Sequence, residues 1–124
     1  MASKHVTSTW LMLKMTYGVF FLAVGVDKFF NMITMWSKYA SPVIMQYIPL
    51  ETSMIMMIIG VIEVLVGAAI LTNWTEKGAQ AAGVMLLICA ANLATMGTYF
   101  DVAARDVVMA MGAFALACLT HAKD

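Results

Sequence analysis

Four long apolar segments alternate with short polar stretches along the chain. The most apolar runs from Met54 to Leu71 and is interrupted by a single ionisable residue, Glu63. A helix needs about 20 mostly apolar residues to cross a hydrocarbon core of about 30 Å, and residues 53–74 supply that length. The pattern therefore predicts a membrane-spanning helix with an acid near its middle.

The other apolar segments have similar lengths. The predicted spans cover residues 10–30, 53–74, 79–100 and 102–121. A tight turn is expected at residues 75–78, which makes the third span antiparallel to the second. Asp101 is expected to cap the fourth helix by accepting a hydrogen bond from its free backbone N–H groups. The prediction is an all-α, integral membrane four-helix bundle that forms a single domain over residues 1–124.

The stretch between the first two spans, residues 31–51, has a different composition. Pro42 and Pro49 prevent one long helix there, and Trp36 and Tyr39 favour the boundary between membrane and water. We predict an interfacial loop with one short amphipathic helix, acting as a lid over that end of the bundle.

The first apolar segment has an alternative interpretation. A basic start, an apolar stretch at residues 15–22 and the small residues at 23–25 are typical of a cleaved signal peptide. The distance from the N-terminus to Lys14 and the continuation into Asp27 and Lys28 favour a retained span.

Composition supports the membrane class. Hydrophobic residues make up 63% of the chain and charged residues 11%, against about 45–50% and about 25% in soluble domains. Equal numbers of basic and acidic residues, seven each, provide no basic patch for nucleic acid.

Cys89 and Cys118 form no C-x-x-C motif, so neither a thiol redox motif nor a metal site is expected. His5 and His121 lie at helix ends, which disfavours haem ligation.

Glu63 needs a partner, because an acidic residue at the centre of a span costs about 2.5–3.5 kcal/mol. At about 1.5 Å per residue, the other intramembrane polar residues fall in the same half of the bundle as Glu63. We expect a buried polar network or pocket formed by Glu63, Asn92, Lys28, Arg105, Asp27 and Asp106. Arg105 or Lys28 would pair with Glu63, and Asn92 would bridge them.

Three interpretations of this network remain open. It holds the helices in register, it forms an outward pocket for a quinone, a small substrate or a proton, or it contacts lipid or a partner. The network contains three acidic and two basic residues, so one acid has no counter-charge. Burial favours the neutral form of a carboxyl, so we expect the deeply placed Glu63 to take up a proton.

Two motifs resemble the DoxX-like family of small four-span bacterial membrane proteins. The first span ends in Gly25-x-x-Lys28-Phe29, and the second reads Gly60-x-x-Glu63-x-x-x-Gly67-x-x-x-Leu71. Arg105 fits the basic residue common at the start of that family's last span. The resemblance implies a four-helix protein of the inner membrane. Some relatives are membrane subunits of thiosulfate:quinone oxidoreductase, and others accompany thiol-redox or methylamine-utilisation systems.

The expected function is therefore that of a membrane subunit or accessory partner of a larger complex. Its partners would be membrane lipid and other membrane subunits or a second copy of the chain. The alternative is a component of a quinone-linked oxidoreductase, with quinone as cofactor, and a small-solute carrier is a weaker third. An independent enzyme is not expected, because four spans leave no room for a soluble catalytic domain.

Four spans place both termini on one side of the membrane. The basic residues slightly favour a cytoplasmic location for that side. It carries Lys4, Lys14, Lys77 and Lys123, and the other side carries Lys28, Lys38 and Arg105.

We predict that Lys38→Cys reacts from outside the cell with a membrane-impermeant thiol reagent, whereas Ser3→Cys reacts only after permeabilisation. Labelling of Ser3→Cys in intact cells would contradict this topology. Loss of the first segment from the mature chain would instead support the signal peptide.

Overall fold

The computed structural model describes residues 4–122, and Ser3 and Lys123, used in the topology prediction, lie outside that range. Within it the fold is entirely helical, which confirms the predicted all-α bundle. Four helices are long and apolar enough to cross a membrane. They are α1 (Lys4–Phe30), α3 (Thr52–Leu71), α4 (Thr75–Met96) and α5 (Phe100–Ala122). The chain is thus a multi-pass membrane protein.

The predicted turn at residues 75–78 is wrong. Residues 72–74 make the turn, and α4 already begins at Thr75. The buried Thr75 hydroxyl donates a hydrogen bond of 2.7 Å to the carbonyl of Ile70, which joins the end of α3 to the start of α4. Gly78 is needed for close packing rather than for a turn, because a Cβ there would lie 2.9 Å from the Ile70 nitrogen.

Two other helix ends differ from the prediction. Asp101 is not the N-cap of the last helix, since α5 begins at Phe100 and includes Asp101 in its first turn. The connection is made instead by Gly97 and Tyr99, which both have positive φ angles. At the N-terminus, α1 begins at Lys4 rather than at residue 10. The apolar run of a sequence indicates which part of a helix contacts hydrocarbon. The helical hydrogen bonding can extend beyond that run, so the run does not locate the helix ends.

Helices α1 and α3 are antiparallel and pack through glycines. A Cβ on Gly25 would lie 2.7 Å from the carbonyl oxygen of Gly60, and one on Gly67 would lie 2.8 Å from that of Gly18. Close backbone approach of this kind is what stabilises helix pairs in lipid, where apolar burial gives little advantage.

Small residues also bring α4 and α5 together, and large side chains fill the centre of the bundle. The fully buried core includes Phe21, Ile70, Ala79, Ala82, Ala110, Ala113 and Leu116. Tyr17 of α1 donates a hydrogen bond of 2.7 Å to the Met109 carbonyl of α5, which joins the first and last helices.

Residues 31–51, the covering segment, connect α1 to α3 at one end of the bundle, here called the covered end. The segment holds two short helices, a 3-10 helix (Trp36–Tyr39) and α2 (Pro42–Met45), where the sequence predicted one. The 3-10 helix contacts α3, and α2 contacts α4. The segment therefore lies across the bundle.

Candidate functional site

A buried ion pair lies beneath the covering segment. The Lys28 ammonium of α1 is 2.5 Å from Glu63 Oε1 of α3, and only 7% and 10% of these two side chains are exposed. The lack of a side chain at Gly60 allows Lys28 to approach α3 closely, because a Cβ at position 60 would lie 3.1 Å from the Lys28 Cβ. Of the two bases considered for Glu63, the structure pairs Lys28 with it.

The Lys28 ammonium is the polar group that contacts Glu63 Oε1, which is fully buried. Lys28 also contacts Trp36, whose ring centre lies 4.0 Å from the ammonium. Such a cation–π contact contributes about 2 kcal/mol when desolvated. Trp36 therefore both stabilises the charge of Lys28 and covers it.

Asp27, the neighbour of Lys28, binds the covering segment instead of joining the ion pair. Its carboxylate accepts a hydrogen bond of 2.8 Å from Trp36 Nε1 and bonds of 2.9 and 3.0 Å from the backbone N–H groups of Met32 and Ile33. Asp27 thus fixes the start of the segment and orients the tryptophan above Lys28.

Asn92 of α4 holds the middle of the covering segment. Its Oδ1 accepts a hydrogen bond of 3.1 Å from the Ser41 backbone N–H, and its Nδ2 donates to the Tyr39 carbonyl. Thr95, one turn further along α4, donates to the Ser41 hydroxyl at 2.6 Å. The expected bridge from Asn92 to Glu63 is therefore wrong, because both ends of the amide bind backbone groups of the segment.

Arg105 does not reach the ion pair, so the alternative pairing with Glu63 is wrong. Its side chain is 74% exposed, and its nearest acidic partner is Asp101 at 4.0 Å, one turn away on the same helix. Asp106 faces inward instead and is half-buried. It lies within electrostatic range of both Glu63 and Lys28.

The sequence predicted two residues of this site without their contacts. Trp36 was expected to belong to a lid, but its contacts with Lys28 and Asp27 were not predicted. Cys89 of α4 was expected inside the bundle beneath that lid, but not near the ion pair; it is half-buried and lies within electrostatic range of Lys28 and Glu63. Its spacing of three residues from Asn92 places both on one helix face, and that was the available signal.

The contact at the centre of this site is therefore the ion pair between Lys28 of α1 and Glu63 of α3. Cys89 of α4 and Asp106 of α5 lie within electrostatic range of it, and neither makes a hydrogen bond or ion pair with it. In residues 4–122 no group of three or more His, Cys, Asp or Glu side chains is arranged to hold a metal ion. The interaction that the structure shows at this site is charge pairing between Lys28 and Glu63.

We predict that Trp36→Ala raises the rate at which Cys89 reacts with a membrane-impermeant maleimide, because removal of the indole opens the covered end to water. The measurement uses a Cys118→Ser background, so that Cys89 is the single thiol. Trp74→Ala is the matched control, since Trp74 is an exposed tryptophan at the other end of the bundle. An unchanged rate for Trp36→Ala would show that the segment is not a cover.

A second prediction concerns the ion pair. Glu63→Ala should lower the free energy of unfolding by about 3–5 kcal/mol, because it leaves a buried ammonium without its counter-charge. Adding Lys28→Met should recover much of that loss, since contacting residues couple in a double-mutant cycle. Thermal unfolding in detergent measures both effects. Arg105→Ala is the control and should change the midpoint little; additive effects of the Lys28 and Glu63 changes would contradict the pairing.

Comparisons with protein-family models, with curated proteins and with solved structures give no match for this chain. The resemblance to DoxX-like proteins therefore depends on the two glycine-containing motifs and on Arg105. Both motifs lie at the α1–α3 contact, where Gly25, Gly60 and Gly67 allow close approach and Lys28 meets Glu63.

Proposed function

We propose that the protein is a DoxX-like membrane subunit or accessory partner of a larger complex in the bacterial cytoplasmic membrane. One observation carries this proposal. A groove between α4 and α5 opens on the outside of the bundle and is lined by Ala91, Ala94, Ala104 and larger apolar side chains. Small residues on a lipid-facing surface allow another helix to approach the backbone closely. The occupant proposed for this groove is a transmembrane helix of a partner subunit.

Charge near the groove supports the same proposal. Asp101 and Arg105 lie on the α5 turns that border it, and their side chains are 69% and 74% exposed. At a separation of 4.0 Å they bind each other only weakly. Polar groups of a partner at the membrane surface could therefore pair with Asp101 or Arg105 beside the apolar groove.

The covered end supports a second candidate, a component of a quinone-linked oxidoreductase. Trp36 provides an aromatic ring next to Lys28, and Glu63 is a buried carboxylate in contact with the Lys28 ammonium. A quinone ring would stack on the indole, and Glu63 would take up the proton that accompanies quinone reduction. A small-solute carrier remains the weaker third candidate, because four helices make a thin pathway.

The test is affinity purification from bacterial membranes, followed by mass spectrometry of the bound proteins and lipids. We expect specific membrane subunits to co-purify with the wild-type chain and to be lost with Ala91→Leu or Ala104→Leu, which fill the groove. Val108→Leu is the matched control, because Val108 is a 71% exposed residue of α5 outside the groove lining. Equal recovery of partners from all variants would contradict the groove as the contact.

The same material separates the two candidates. A quinone that co-purifies and changes its visible or ultraviolet absorption on reduction would favour the oxidoreductase component. Glu63→Gln keeps the size of the side chain but cannot ionise, so it should retain the partner subunits while abolishing quinone-linked turnover. Retained partners, with no quinone and no effect of Glu63→Gln on the activity of the complex, would favour the accessory role.

A further inference from the structure

The covering segment directs its polar groups toward the bundle. Asp27 of α1 accepts hydrogen bonds from two of the first backbone N–H groups of the segment. Asn92 of α4 binds the Ser41 N–H and the Tyr39 carbonyl, and Thr95 donates to the Ser41 hydroxyl. Ser41 is itself fully buried. These groups of the segment are bonded to side chains of the spanning helices, so they do not need water.

The outer surface of the same segment is apolar. Met32 and Tyr47 are 85% and 80% exposed. The other large apolar side chains exposed along the segment are Ile33, Met35, Val43, Ile44 and Leu50. The charged residues of the segment are Lys38 and Glu51 alone. An extended apolar surface of this kind marks a contact with a protein or with a membrane.

The opposite end of the bundle marks one boundary of the membrane. Trp10 of α1 binds Thr120 of α5, and the next residue, His121, lies 3.4 Å from Glu76 in the first turn of α4. Trp74, directly before α4, is exposed at the same level. Tryptophan is enriched where hydrocarbon meets the headgroups. The level of Trp10 and of the start of α4 therefore lies at this boundary.

Distances along the helices from this boundary give the depth of the covering segment. At about 1.5 Å per residue, the end of α1 at Phe30 lies about 30 Å from Trp10, which is the thickness of the hydrocarbon core. Asn92 lies only about 25 Å along α4 from its first residue, Thr75. The part of the segment that Asn92 binds therefore reaches about 5 Å below the second boundary.

We infer that residues 31–51 form a re-entrant segment, which enters the leaflet at the covered end and contacts phospholipid acyl chains through its outer apolar side chains. Non-helical backbone is tolerated at membrane depth only where the protein satisfies its hydrogen bonds, and Asp27, Asn92 and Thr95 do so here. This placement is deeper than the interfacial loop expected from the sequence, and it does not depend on the proposed function.

The two charged residues of the segment fit a shallow insertion. Glu51 is the last residue of the segment and directly precedes α3, at the level of the boundary. Lys38 is exposed, and its long stem allows the ammonium to reach the headgroups. Acyl chains fit the outer surface better than a docked protein does, because they need no hydrogen-bonding groups opposite them and the segment has directed its own groups inward.

Site-directed spin labelling of the whole chain in phosphatidylcholine vesicles tests this placement. Cys89→Ser and Cys118→Ser remove the native thiols, and a nitroxide is then attached at Met35→Cys or at Val43→Cys. These two positions flank the residues that Asn92 binds. Molecular oxygen concentrates in hydrocarbon and a water-soluble nickel chelate stays in water, so the ratio of their collision rates with the nitroxide reports its depth.

Two further positions calibrate that ratio. Leu65→Cys is the hydrocarbon standard, because Leu65 is exposed in the middle of α3. Lys77→Cys is the water standard, because Lys77 is exposed in the first turn of α4. We expect the oxygen-to-nickel ratio at Met35→Cys and Val43→Cys to be severalfold higher than at Lys77→Cys and to approach that of Leu65→Cys.

Two results would overturn the inference. A ratio equal to that of Lys77→Cys at both positions would show that the segment lies in water. Low collision rates with both reagents would show that another protein surface, such as a second copy of the chain, covers it. Circular dichroism checks that each variant folds. Both substituted side chains are exposed, and if one variant fails to fold, the other still decides the question.

Discussion

The close contact between α1 and α3 at Gly25 and Gly60 determines where the charges of this bundle lie. It brings the two backbones so near that a Cβ on either glycine would meet the carbonyl of the other at 2.7 Å. The stem of Lys28 passes over Gly60, and its ammonium meets Glu63, which lies one turn further along α3. A larger residue at position 60 would push Lys28 away and leave two unpaired charges at membrane depth. The glycine contact is thus a condition for burying the ion pair.

The dipeptide Asp27-Lys28 couples that ion pair to the covering segment. Successive side chains on a helix are rotated by about 100°, so Lys28 points toward α3 while Asp27 binds the segment. Trp36 completes the connection, because its indole N–H donates to Asp27 and its ring lies over Lys28. Asn92 fixes the other side of the segment through Ser41 and Tyr39. Movement of the cover therefore perturbs the charge pair, and a change in the pair perturbs the cover.

The sequence predicted the features that depend on length and on gross polarity. Four apolar segments of membrane-spanning length indicated the bundle, and the depth of Glu63 indicated that it needed a partner. The depth of these residues in the membrane could not decide whether Lys28 or Arg105 is the partner of Glu63, because both lie near the same end of the bundle. That choice depends on the rotation of each helix about its axis, which tertiary packing decides. The turn was misplaced for a similar reason: Gly78 is typical of turns, but here it serves a helix contact.

The two ends of the bundle differ in how they respond to charge. At the end formed by residues 72–74, Trp10 donates a hydrogen bond of 2.9 Å to Thr120. The ionisable side chain of His121 is exposed there, and that of Glu76 is partly exposed. Water and salt screen exposed charges, so the contact between these two side chains contributes little to stability. At the covered end, Lys28 and Glu63 are buried and share their surroundings with Asp106. The low dielectric constant of these surroundings strengthens the electrostatic interaction between those groups. A change in either charge of this pair therefore alters how strongly Lys28 is held between Glu63 and Trp36, and Trp36 connects that change to the covering segment.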